Sequence, residues 1–123
     1  MNKNVLVIGL GLIGGSIALA IKKEHPDVTI YGYDNNTESS LLAKTLQVID
    51  EVVFKLEDVV HTCDFMFISV PVKQTIDIIH ELSSYELKND VIVTDVGSTK
   101  QQIVQTADSI FGKMGITFIG GHP

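Results

Sequence analysis

Val5-Leu6-Val7-Ile8-Gly9-Leu10-Gly11-Leu12-Ile13-Gly14-Gly15-Ser16 decides the fold. Val5 to Ile8 is a continuous apolar run of strand length. Residues Ile13 to Lys23 then carry apolar side chains at Ile13, Ile17, Leu19, Ala20 and Ile21, wide enough for a helix packed on a sheet. Between them Gly9-Leu10-Gly11-Leu12-Ile13-Gly14 spells G-x-G-x-x-G. In a strand–turn–helix unit the first glycine permits the tight turn. The second lets backbone approach a diphosphate, and the third lets the helix lie close to the strand. The helix start, with Leu12 and Ile13 in its first turn, then offers free N–H groups and a partial positive charge to an anion.

Outward from this unit the pattern repeats. His25-Pro26-Asp27 breaks the helix, and Val28 to Tyr33 reads as a second strand. Asn35-Asn36-Thr37 caps a helix of roughly Glu38 to Leu46. Val48 to Phe54 reads as a short strand and Leu56 to Thr62 as a short helix. Phe65 to Val70 is a strand closed by Pro71, and Lys73 to Leu82 a helix with Ile76, Ile79 and Leu82 on one stripe. Val91 to Val96 is a fifth strand. Gly97-Ser98-Thr99 leads into a helix through Phe111, bracketed by Gly112 and Gly115, and Ile116 to Ile119 is a sixth strand. Apolar strands alternating with helices indicate an α/β, doubly wound, mostly parallel Rossmann-type sheet with helices on both faces and strand order 3-2-1-4-5-6.

Asp34 ends the second strand, twenty residues beyond Gly14. A carboxylate there accepts hydrogen bonds from adenosine ribose hydroxyls and repels a 2′-phosphate. Asn35-Asn36-Thr37 supplies no cation to offset that repulsion, so the cofactor indicated is NAD rather than NADP. The alternative reading of the same residues is a glycine-rich turn without a nucleotide, with Asp34 as a helix cap.

Ligands of such sheets sit outside the carboxyl ends of the strands. Ser69-Val70-Pro71 closes the fourth strand, where stiffened backbone can lie beside a ribose. Gly97-Ser98 closes the fifth, where a hydroxyl can donate and accept near a reacting ring. Gly120-Gly121-His122-Pro123 closes the sixth. His122 is the candidate acid–base group, since a neutral imidazole can take a proton from a hydroxyl as hydride leaves the same carbon. The alternatives are a plain loop histidine and, for Ser98, a helix cap. His25, His61 and His80 read as structural or solvated, Asp95 as an anchor of the turn after it, and Cys63 as a small buried apolar side chain.

Composition narrows the function further. The 123 residues are 45% hydrophobic and 20% charged, as in one globular domain. Net charge is −6, all nine basic residues are lysine, and no run of positive charge suits a nucleic-acid backbone. No apolar run approaches the roughly 20 residues of a membrane span. One cysteine forms no internal disulfide and no metal site by itself, which points to the cytoplasm.

Val7-Ile8-Gly9-Leu10-Gly11-Leu12-Ile13-Gly14-Gly15-Ser16, Ser69-Val70-Pro71-Val72, Thr94-Asp95-Val96-Gly97-Ser98-Thr99-Lys100 and Gly120-Gly121-His122-Pro123 together resemble the prephenate dehydrogenase family, in order and spacing over the whole chain. The resemblance implies oxidative decarboxylation of prephenate to 4-hydroxyphenylpyruvate in tyrosine biosynthesis. It places at His122 the loop histidine that accepts a hydrogen bond from the substrate hydroxyl, and at Ser98 a serine near that histidine and the nicotinamide. An arogenate-using relative fits the same residues, and so does another β-hydroxyacid-type or imine-reducing dehydrogenase. A non-catalytic nucleotide-binding, redox-sensing module also fits. The departure is length. Family members carry a helical domain after the nucleotide-binding half, which dimerises and closes the cleft. The expectation is an NAD-binding domain over 1–123, with that second domain and the carboxylate-clamping arginines outside this sequence, and a homodimer for the whole protein.

Overall fold

The computed structural model describes residues 3–96 and 101–120. Among them, six parallel strands form one sheet: β1 (Asn4–Ile8), β2 (Thr29–Tyr33), β3 (Glu51–Val52), β4 (Phe65–Ile68), β5 (Ile92–Asp95) and β6 (Thr117–Ile119). The order is β3-β2-β1-β4-β5-β6, as the alternation of elements predicts. Helices α1 (Leu12–Glu24), α2 (Thr37–Thr45), α3 (Val72–Leu82) and α4 (Gln101–Met114) make four of the five crossovers, and two 3₁₀ turns lie in the one from β3 to β4. Val5 pairs with both Ile30 and Phe65, and Ile8 with both Tyr33 and Ile68, so the carboxyl ends of β1, β2 and β4 finish level.

Because strand side chains alternate between faces, β1 feeds two cores. Leu6 and Ile8 join Met66, Ile68, Val93, Ile79, Leu82, Ile103 and Phe111 on one face. Val5 and Val7 join Ala18, Ile30, Ala43 and Ile49 on the other. Phe111, fully buried, stacks on Phe118 at 5.9 Å between ring centroids and fastens α4 to β6.

Four local differences from the sequence reading have physical causes. The α1 residues that meet the sheet most closely are Gly14 and Ala18, one turn apart, whereas Leu12, Ile13 and Leu19 are exposed. Small residues let helix and strand approach, and Leu12, Ile13 and Leu19 turn outward while Ile21 still packs against the core. The strand expected over Val48 to Phe54 shrinks to two residues, because the Val48 and Ile49 amides turn back to the Ala43 carbonyl, closing α2. Gln47, at φ +61°, makes that reversal. The Asp50 and Val53 amides still donate to Ile30 and Gly32 across the ladder.

Leu56 to Thr62 is two 3₁₀ turns, Leu56–Asp58 and Val60–Thr62, separated at Val59 and pinned by buried Leu56, Val59, Val60 and Cys63. The last helix runs past Gly112 to Met114. Gly115, at φ +72°, ends it, and the Ile116 amide donates to the Phe111 carbonyl at 2.9 Å.

Candidate dinucleotide-binding site

The glycine turn lies where β1, β2 and β4 end together. The Gly9 amide donates to the Tyr33 carbonyl at 2.7 Å, and the Ser69 amide to the Ile8 carbonyl at 2.7 Å. Gly9 holds φ +98°, and a Cβ there would be driven into the Ser69 carbonyl. A Cβ on Gly14 would strike the carbonyl oxygen of Gly9. Both glycines are therefore required by protein packing alone. Gly11 differs. Its backbone, φ −73° and ψ −162°, suits any residue, and a Cβ there would meet no protein atom within 4 Å. Gly11 is one of the residues that line the cleft described below.

Gly11 is also the N-cap of α1. Its carbonyl accepts from the Gly15 amide at 2.8 Å, no side chain caps the helix, and the first turn holds no acidic residue. By contrast, α2 begins with Asn36, whose side chain accepts from the Ser39 amide. The start of α1 thus keeps amides directed outward with nothing from the protein to satisfy them, the arrangement that receives an anion.

Asp34 follows β2 and is half-buried. One carboxylate oxygen accepts from the Leu10 amide at 2.8 Å and the other from the Asn36 amide at 2.9 Å. A carboxylate has about four acceptor positions, so both oxygens keep capacity for hydroxyl donors. The carboxylate that reads the sugar in the sequence argument also braces the glycine turn.

A cleft of about 370 Å³ runs between these parts, lined from β1, β2, β4 and α3. Of the residues expected to bind cofactor, Gly9, Gly11, Asp34, Ser69, Val70 and Pro71 line it. Leu12 and Ile13 start α1 at its exposed edge, and Gly14 lies beneath the turn. Gly97, Ser98 and His122 lie outside the described residues. Sequence reasoning missed Tyr33, Asn35, Gln74, Asp77 and Ile78 in the lining. The signal for the α3 residues was there: positions three, six and seven after Pro71 share one side of a helix.

The other titratable residues separate cleanly from this site. Cys63 is buried, and burial is the largest influence pushing its thiol up to about 12, so it is a packing residue rather than a nucleophile. Asp64 accepts from the Asn4 amide and from Lys88 at 2.9 Å each, at the opposite end of the strands. Burial alone would raise its carboxyl, but the Asn4 amide and the Lys88 ammonium more than offset this and hold it below its ordinary value. Among the described residues, no cluster of His, Cys, Asp or Glu could hold a metal ion, and no helix is long and apolar enough to cross a membrane.

The sheet order, the open helix start and the acidic side chain after β2 define a Rossmann-type nucleotide-binding domain. The family model for the prephenate dehydrogenase nucleotide-binding domain matches residues 17–123, and the chain belongs to that family. It is 42% identical to prephenate dehydrogenase of Bacillus subtilis over 123 residues, all of this chain and 33% of that protein. The crystal structure of Aquifex aeolicus prephenate dehydrogenase in complex with hydroxyphenyl propionate and NAD+ superposes with a TM-score of 0.87 at 40% identity, covering 98% of this chain and 41% of that one. Synechocystis arogenate dehydrogenase superposes at 0.84 with 29% identity, covering 98% and 40%. The chain spans about a third of the length of the prephenate dehydrogenases it matches in sequence.

Proposed function

We propose that this chain is the NAD-binding part of a prephenate dehydrogenase, with residues 1–123 as one dinucleotide-binding domain and the substrate clamp supplied by a further helical domain. The observation that carries the cofactor assignment is Gly11: no protein contact requires glycine there, while a diphosphate against the start of α1 does. Asp34 takes the ribose hydroxyls of the adenosine half. With no lysine among the described cleft residues, it disfavours a 2′-phosphate. Ser69, Val70 and Pro71 form the wall toward the second ribose.

The reaction assigned is oxidative decarboxylation of prephenate. When bound, the nicotinamide supplies a hydride acceptor. His122 takes the hydroxyl proton as the carbinol carbon loses hydride and becomes a carbonyl. The ring then expels CO₂, the electrons of that bond aromatise it, and the ring oxygen takes the proton back from His122, giving 4-hydroxyphenylpyruvate. Ser98 serves near that histidine and the nicotinamide, and Gly97 before it belongs to the cofactor-binding set. The family membership and the relatives named above support this reading. Likeness to the Synechocystis enzyme supports arogenate as the second candidate substrate. We assign the whole protein a cytoplasmic setting and a homodimer built through its second domain.

Calorimetry with NAD⁺ and NADP⁺ tests the cofactor assignment. NAD⁺ should bind at least about tenfold more tightly, and equal affinities would contradict the role given to Asp34. In the whole protein, His122→Asn should collapse turnover with NAD⁺ affinity nearly intact; surviving turnover would remove the catalytic assignment. Residues 1–123 alone, lacking any arginine to hold a dicarboxylate, should bind NAD⁺ with little or no turnover.

A further inference from the structure

The cleft has a polarity of its own. Beside it are the outward amides of the α1 start, all donors. Lining it are two carboxylates, both acceptors: Asp34 after β2, against the glycine turn, and Asp77 on α3. Among the described residues no lysine lines the space between them, so nothing there neutralises the carboxylates. Gln74 lies one turn before Asp77, and both side chains are exposed, without a hydrogen-bond or ion-pair partner among the described residues. Ile8, Val70 and Ile78 supply apolar wall beside them.

An adenosine diphosphate unit has the matching polarity. Its phosphates only accept, while its ribose hydroxyls and its exocyclic 6-amino group donate. With the diphosphate at α1 and the sugar at Asp34, the base extends away from β2 toward the α3 wall. A flat ring then lies on apolar side chains with its edge facing the carboxylate and the amide.

Resting on the dinucleotide reading above, we propose that Asp77 reads the purine. Its carboxylate accepts a hydrogen bond from the adenine 6-amino group, with Gln74 beside it to engage the neighbouring ring nitrogen. Asp77 is thus a specificity-determining residue for the nucleobase, as Asp34 is for the sugar.

The test compares NAD⁺ with nicotinamide hypoxanthine dinucleotide, in which an oxygen acceptor replaces the amino donor and the neighbouring ring nitrogen becomes a donor, reversing the pattern that Asp77 and Gln74 would meet, by calorimetry. The wild-type chain should favour NAD⁺ by about tenfold, the scale of one hydrogen bond lost to a charged acceptor. Asp77→Ala should bring the ratio to about one by weakening NAD⁺ binding. Asp77→Asn, whose amide can turn to donate to the oxygen, should bring it to one or below. The ratio is the readout, because removing a negative charge changes the attraction for both dinucleotides equally. Asp77 is exposed on a helix, and thermal melting checks that both variants stay folded. Equal wild-type affinities, or a ratio that survives both substitutions, would overturn the purine assignment and leave the dinucleotide site standing. Failure of the wild-type chain to bind either dinucleotide or ADP-ribose would overturn both.

Discussion

Alanine at position 11 separates what the fold needs from what a ligand needs. The Gly11 backbone lies in a region open to any residue, and its Cβ would project into space holding no protein atom within 4 Å. Two small effects on stability oppose each other: alanine is a slightly poorer N-cap than glycine, and it restricts the unfolded chain more. They leave a net change within about 0.5 kcal/mol. Gly14→Ala is the control. Its Cβ meets the Gly9 carbonyl, a backbone atom that cannot swing aside. Overpacking of that kind costs about 3 kcal/mol, or a fall in Tm of roughly 10 °C for a domain of this size.

For binding the order reverses. A methyl group at Gly11 occupies the approach of the diphosphate to the α1 amides, and a steric penalty of about 2–3 kcal/mol corresponds to roughly 30- to 150-fold weaker NAD⁺ binding. The assay is paired: thermal melting without ligand, and calorimetric titration with NAD⁺ on the same preparations. The reasoning fails if Gly11→Ala binds NAD⁺ within about threefold of wild type. It fails equally if that variant melts as early as Gly14→Ala.

The remaining expectations concern stability and reactivity. Asp64→Ala leaves the Asn4 amide and Lys88 without their acceptor and should cost about 2–3 kcal/mol at pH 7 in denaturant melts. Because the native carboxyl is held below its ordinary 3.8, its contribution is fully present above about pH 4 and is lost as pH falls through the lower native value. Wild type and variant should therefore converge in acid. Cys63, buried with its thiol pushed up to about 12, should react with an aromatic disulfide reagent at pH 8 only as fast as the chain unfolds; immediate modification of native protein would contradict its burial. Asn36→Ala removes the cap on the Ser39 amide and should lower stability by about 1 kcal/mol, seen as a fall of roughly 4 °C in Tm.

What the sequence disclosed, it disclosed through local chemistry. Gly9, Gly14 and Asp34 could be placed because a turn, a close approach and a strand end each demand particular atoms at fixed spacing. Strand order followed from alternation and handedness. The third strand was overread because Val48 and Ile49, β-branched and apolar, look like strand residues, whereas their amides serve to finish α2. The outward turn of Leu12, Ile13 and Leu19 was hidden for a similar reason: side-chain size suggested the core, and proximity to the sheet selected glycine and alanine instead. Gln74 and Asp77 were passed over because polar residues on a helix ordinarily face water. Only the meeting of α3 with β1 and β2 gives them a cleft to face.

Asp34 ties the Leu10 amide to the end of β2, and the proposed dinucleotide site gives the same carboxyl group a second job, at the sugar. Under that proposal one side chain sets both coenzyme choice and the bracing of the loop. A lineage or an engineer exchanging this residue to admit a phosphorylated ribose would take from the glycine turn its Leu10 acceptor. A switch at this position alone therefore trades away grip on either coenzyme, unless a second substitution gives the Leu10 amide a new acceptor.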